Sequence, residues 1–174
     1  MEGKRVHLPL SQADIDSLTA GETVLLSGDL YTARDAAHLR LMALLRADKP
    51  LPIPKGACVY YTGPCPAAVG EVIGPCGPTT SARMDGATPA LLDYGVTGLI
   101  GKGPRSRAVL DALQGQAVYF AATGGAGMLL SRAVKRVEPV AFEDLGTEAI
   151  RKLTVEDFPV IVAADARGGN LYKM

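Results

Sequence analysis

The chain has 174 residues, enough for one domain with a buried core. Its 18 Lys plus Arg balance 18 Asp plus Glu, which excludes a long-range field steering the protein toward nucleic acid or an anionic membrane, so any anion site has to be local. No apolar run approaches the ~20 residues of a membrane span, and the opening MEGKRVHLPLS lacks an apolar signal core, so a cytoplasmic protein with neither nucleic-acid nor membrane partners is expected.

In chain order, Ser11 and Asp14 have the spacing of a capping box and open a short helix over SQADIDSL. TAGE then turns into the apolar strand TVLLSG, residues 23–28. TARDAAHLRLMALLRADK puts Ala37, Leu41 and Leu45 on one face and Arg40, Arg46 and Lys49 on the other, an amphipathic helix stopped by Pro50. ACVYYTG, VTGLIG and QAVYFAAT are strands, the last two separated by the helix RSRAVLDALQG. GGAGMLLSRAVKR reads as a helix after a Gly-rich turn, and DFPVIVAADARGGNLY as a buried strand with a turn at Gly168–Asn170. The alternation implies an α/β fold in a single domain, residues 1–174, without repeats or a low-complexity linker. Cys58, Cys65 and Cys76 lack CxxC spacing and neighbouring His, a poor disulfide framework and a poor zinc site; three reduced thiols, mostly buried, are expected, with a three-Cys iron-sulfur site that leaves one iron open as the alternative, and no metal ligand is assigned to this chain.

Four stretches could carry chemistry. In GPCGPTTSARMDG, residues 74–86, a helix starting at Pro78 would leave the amides of Thr79 and Thr80 free for an anion, with Thr79 and Arg83 four apart on the same face. The alternative is that the threonines only cap and Arg83 pairs with a surface Asp. In YTARDAAHLR, Arg34 and Asp35 open a helix just after a strand, where α/β folds gather ligand contacts; a surface pair of Arg34 with Asp35 or Asp29, with His38 an ordinary helix residue, is the other reading. In GLIGKGPRS, Lys102 stands between Gly101 and Gly103 after an apolar strand, uncrowded and either functional or merely solvated; GxxxxGK[ST] is absent. ATGGAGML, residues 122–129, lacks the third Gly of GxGxxG and fits a tight strand-to-helix connection.

Six segments, SGDLYTARDAAH, YYTGPCPA, GPTTSARMD, GLIGKG, YFAATGGAG and DFPVIVAADARGGNLY, span nearly the whole chain. Together they resemble the β subunit, or carboxyl-terminal domain, of the iron-sulfur hydro-lyases grouped as class I fumarase and L(+)-tartrate dehydratase. GPTTSARMD is the most specific of them. The resemblance implies a swivelling β/β/α domain that closes over an active site whose [4Fe-4S] cluster is held by three Cys of a partner α subunit. It also implies that Arg34, Arg83 and Lys102 grip the carboxylates of a C4 dicarboxylate and that Thr79 lies beside the carbon that exchanges a proton. The expected protein is then the β subunit of a fumarate hydratase in an α2β2 assembly. L(+)-tartrate dehydratase, or a stand-alone dicarboxylate-binding module without catalysis, is the alternative.

Overall fold

The computed structural model describes residues 2–123 and 126–172. In chain order it contains β1 (Lys4–His7), α1 (Gln12–Ser17), β2 (Thr23–Thr32), α2 (Asp35–Arg46), β3 (Cys58–Tyr60), a 3-10 turn (Ser81–Met84), α3 (Thr88–Tyr94) and β4 (Gly98–Gly101). There follow α4 (Arg107–Leu113), β5 (Val118–Ala121), α5 (Gly127–Ser131), β6 (Val134–Ala141), a second 3-10 turn (Glu143–Glu148) and β7 (Ile150–Ala164). The strands join in the order β1-β2-β3-β4-β5-β7-β6, and β2 also pairs with β7. The sheet therefore closes on itself: β2, β3, β4 and β5 run parallel, and β7 returns antiparallel to join β5 to β2.

Strand alternation divides the buried side chains into two cores. Leu26 and Leu30 of β2, Cys58 and Tyr60 of β3, Ile100 of β4, Val118 and Phe120 of β5 and Val160 and Val162 of β7 share one cluster, on which Ile15 of α1 and Leu130 of α5 pack. The neighbouring positions Val59, Leu99 and Tyr119 belong to the other cluster, with Ala37 and Leu41 of α2, Leu91 and Leu92 of α3 and Val109 and Leu113 of α4. Burial on both faces explains why β3, β4 and β5 read as near-continuous apolar segments.

The capping box of α1 is formed in both directions: Ser11 Oγ accepts from the Asp14 amide at 3.0 Å and the Asp14 carboxylate from the Ser11 amide at 2.9 Å. Helix α2 buries Ala37, His38 and Leu41 as its periodicity demands, but ends at Arg46, ahead of Pro50, because Asp48 already has a left-handed φ of 52°. Other boundaries differ from the local pattern. KRVH becomes β1 by pairing in parallel with β2. β2 itself continues past Gly28, whose φ of 125° absorbs a register shift against β7. The segment AVKR, read as helix, belongs instead to the approach and start of β6, drawn into the sheet by the long strand β7. Among the described residues no helix is long and apolar enough to cross a membrane.

The carboxyl-terminal turn hangs on Asp165, which is 4% exposed. Its Oδ1 accepts from the amides of Arg167 at 2.9 Å and Gly169 at 2.8 Å, and its Oδ2 from the Ala20 amide at 2.9 Å, tying the turn before β2 to the end of β7. Burial raises the pKa of this carboxyl, yet the three amide bonds and the charge of Arg167 outweigh it and leave the group below its ordinary value. The stabilisation is thus complete above the unfolded-state carboxyl pKa and is lost as pH falls through the lower folded value. Asp165→Asn sets an NH2 donor against amide donors, so it is expected to lower stability by about 2 kcal/mol at neutral pH. The variant's urea midpoint should also fall less than wild type on acidification, and parallel pH curves would contradict this.

Candidate functional site

Parallel strands deliver their carboxyl ends to one edge of the ring, and the segments singled out in the sequence gather there. Arg34 follows β2. It is the N-cap of α2 in extended conformation (φ −116°, ψ −160°) rather than a first-turn residue. Its carbonyl accepts from the His38 amide at 2.9 Å and from His38 Nδ1 at 2.7 Å. His38 is buried edge-on to Tyr61, ring centroids 5.4 Å apart. Burial, together with the charge of Arg105, overrides the Arg34 carbonyl and Asp35 and lowers the His38 pKa to about 4, so this ring is a neutral brace for Arg34 at physiological pH. The Arg34 side chain passes Gly63, where a Cβ would lie 3.1 Å from Arg34 Cδ. Its Nε stands 3.6 Å from Asp35 and 4.0 Å from Glu148.

The segment GPTTSARMD is stitched to the residues that follow β3. Thr62 Oγ1 donates to the Gly77 carbonyl at 2.7 Å, the Tyr60 hydroxyl donates to the Cys76 carbonyl, and the Thr79 amide donates to the Tyr61 carbonyl at 2.8 Å. This corrects the expected cradle of free amides: Pro78 does not start a helix, the Thr79 amide is taken, and the 3-10 turn begins only at Ser81. Side chains converge instead. Arg83 Nη2 donates to Thr79 Oγ1 at 2.6 Å, while Arg83 Nε donates to Asp35 Oδ1 at 2.8 Å and Nη2 to Asp35 Oδ2 at 3.4 Å. The hydrogen bond from Arg83, partly opposed by burial, holds the Asp35 carboxyl below the usual carboxylate range.

Lys102 leaves the end of β4 exposed and carries no ion pair among the described residues. It is bridged to Thr80, and its carbonyl accepts from the Ser81 amide at 3.0 Å. Arg34, Asp35, Arg83 and Thr79 thus form one contiguous chain of contacts, and Lys102 is one backbone bridge away. The Arg34 and Arg83 side chains are 31% and 45% exposed, so the group lies open on one side. In water such cations hold a carboxylate weakly; a cover that excludes solvent would make the same contacts strong.

Beneath the site lies a buried network that the local pattern of the sequence did not announce. The side chain of Arg105 is 0% exposed, pairs with Asp85 at 2.6 Å and donates to Thr88 Oγ1 at 2.9 Å and to the Tyr61 hydroxyl at 3.2 Å. It stacks between the Tyr61 and Tyr119 rings, 5.2 and 4.8 Å from their centroids. Asp85 Oδ2 also accepts from the Ser106 amide at 2.7 Å, and Ser81 Oγ shares a 2.8 Å bond with the Tyr119 hydroxyl, which donates to the Gly103 carbonyl at 2.7 Å. Together these bonds lock the turn after Thr79 onto the loop after Lys102. The packing admits no side chain at Gly101, where a Cβ would collide with Ser81 Oγ and come within 2.7 Å of Tyr61. In the sequence Arg105 reads simply as the first residue of the helix segment RSRAVLDALQG.

Cys58 and Cys76 are buried and Cys65 is exposed. Burial pushes the Cys58 thiol strongly upward, and burial with Cys65 nearby pushes Cys76 to about 11, the opposite of what a thiolate ligand needs. Among the described residues no three His, Cys, Asp or Glu side chains group as metal ligands. Gly124 and Gly125 of ATGGAGML lie outside the described residues.

The family model described as Fumarase C-terminus matches residues 1–174. A Methanocaldococcus jannaschii chain provisionally named L(+)-tartrate dehydratase subunit beta is 37% identical over 172 residues, covering 94% of this chain and 88% of that one. Fumarate hydratase 2 of Leishmania major is 36% identical over 97% of this chain, and the anaerobic class I fumarate hydratase of Escherichia coli K12 is 34% identical over 99%. This chain spans only 29% and 33% of those two enzymes. With its full length matched and its ring of strands in place, the chain belongs to the Fumarase C-terminus family, whose named relatives here are hydro-lyases.

Proposed function

We propose that this chain is the carboxylate-binding half of a class I fumarate hydratase, acting as a β subunit beside a separate α subunit. The observation that carries the proposal is the contiguous Arg34–Asp35–Arg83–Thr79 group with Lys102 beside it, left open on one side. A relative named as a subunit beta, and fumarate hydratases about three times the matched length, support a second half that would cover the open face. The [4Fe-4S] cluster implied by the resemblance finds no ligand set among the described residues of this chain, so the proposal gives it to the α subunit, in an α2β2 assembly. A cytoplasmic setting suits three free thiols.

In this reading Arg34, Arg83 and Lys102 take the two carboxylates of the C4 substrate. Proton loss at the carbon next to a carboxylate spreads negative charge onto that carboxylate, and cations held in advance stabilise the growing charge more than the ground state. Thr79 stands beside the carbon that exchanges a proton. A Thr hydroxyl alone is far too weak a base, so in this reading a carboxylate of the α subunit takes the hydroxyl's own proton as Thr79 Oγ1 receives the one from carbon, while the Arg83 Nη2 donor at 2.6 Å holds Oγ1 in place. L-tartrate is the second reading, favoured by the archaeal relative matched over 88% of its length.

The test is to co-express the full chain with a candidate α chain, load the cluster without oxygen and assay (S)-malate and L-tartrate side by side. Turnover of neither would leave a stand-alone dicarboxylate module. A sharper expectation concerns Thr79. Thr79→Val keeps the shape and deletes the hydroxyl, so kcat should fall by ~10²-fold or more with little change in KM. Thr80→Val, whose side chain is exposed beside Thr79, should leave kcat within about twofold. A Thr79→Val complex with normal kcat would reduce the site to a binding clamp.

A further inference from the structure

We propose that Asp35 is a positioning residue: its carboxylate occupies one edge of the Arg83 guanidinium and thereby directs an incoming carboxylate to the other edge, beside Thr79. The guanidinium is planar and offers donors along two usable edges, one formed by Nε with Nη2 and the other by Nη1 with Nη2. Asp35 takes the first edge with Oδ1 at 2.8 Å from Nε and Oδ2 at 3.4 Å from Nη2. The remaining Nη2 hydrogen goes to Thr79 Oγ1 at 2.6 Å. What is left for a ligand is Nη1, on the edge that Thr79 borders.

Isolated surface ion pairs are weak and mobile, but this one is held from several sides. Asp35 is the first residue of α2, Arg34 Nε lies 3.6 Å from its Oδ2, and Glu148 Oε1 accepts from the next amide, Ala36, at 3.2 Å. Arg83 rides on the turn that the Ser81–Lys102 and Asp85–Arg105 contacts anchor. Removing the Asp35 carboxylate frees the Nε edge, where a substrate carboxylate binds just as well but away from Thr79. Affinity then persists while proton transfer fails.

The kinetic arm rests on the proposed function; the spectroscopic arm does not. In the assembled complex Asp35→Ala is expected to lower kcat by ~10-fold or more with KM unchanged or reduced, with melting temperature held. In a double-mutant cycle, Asp35→Ala should cost little further kcat on top of Thr79→Val, because both remove the same arrangement. Additive losses, or an unchanged kcat, would overturn the positioning role. On the full chain alone, nitrogen-15 spectra should show an Arg83 Nε–H, identified by its absence in Arg83→Lys, that is shielded from solvent exchange and loses that shielding in Asp35→Ala. The Thr79 methyl signal should move in Asp35→Ala in the same direction as in Arg83→Lys. An unshielded Nε–H, or a Thr79 methyl indifferent to Asp35, sinks the proposal whatever the activity; intact signals in a complex that turns over no dicarboxylate would instead sink the hydratase reading.

Discussion

Arg83→Met is expected to lower kcat/KM of the assembled complex on its dicarboxylate by at least ~10²-fold, the equivalent of about 3 kcal/mol for a covered carboxylate left without its charged donor. Methionine keeps the stem of the side chain and loses the fork, so the contact to Asp35 and the donor to Thr79 disappear together. Arg34→Met and Lys102→Met should fall in the same direction, since each removes a cation from the same edge of the ring. Arg46→Met is the control: it is exposed in the last turn of α2 and should keep activity within about twofold. Steady-state kinetics on the four complexes decides the matter. Equal tolerance at all four positions would return the Arg83–Asp35 pair to an ordinary surface contact.

The second large effect is on stability and needs no partner. Arg105→Met should destabilise the chain by about 3 kcal/mol, read as a lowered urea midpoint at constant m, because it leaves Asp85 facing the protein without its cation. Asp85 keeps its bond from the Ser106 amide, and the methionine stem still fills space between Tyr61 and Tyr119, so the loss is electrostatic more than steric. Arg107→Met offers the contrast two residues on. Its pair with Asp111 at 2.9 Å is solvated, with side chains 87% and 63% exposed, and its loss should shift stability by no more than about 0.5 kcal/mol. Were Arg105→Met as stable as Arg107→Met, the network under Thr79 and Lys102 would not be what holds the two loops together.

Much of this arrangement was legible without coordinates, wherever the governing interactions are local. The α1 capping box spans three residues, the stripe of Ala37 and Leu41 repeats along one helix, and the strands β3, β4 and β5 are apolar because both their faces are covered. Thr79 and Arg83 do meet, as their spacing of four suggested, but not on the face of a helix begun at Pro78: Thr79 lies ahead of the 3-10 turn, and the Arg83 side chain reaches back to it. The resemblance carried by GPTTSARMD and its companion segments added the family, which the match over residues 1–174 shows.

Tertiary structure alone decided the rest, because the partners lie far apart along the chain and carry no mark of one another. β1 and β6 are edge segments whose strand state comes from β2 and β7, not from their own alternation. The Thr79 amide is consumed by Tyr61 across the end of β3, which turned an expected backbone cradle into a side-chain clamp. Arg83 meets Asp35 across 48 residues and Arg105 meets Asp85 across 20, pairings fixed by the ring that brings the ends of β2, β3 and β4 to one edge. Sequence by itself determined which segments carry Arg34, Thr79, Arg83 and Lys102, since residue type and local spacing are written in it. The closed sheet decided which edge of Arg83 is spoken for and which is left for a ligand, since that depends on a carboxylate delivered by the helix that follows β2.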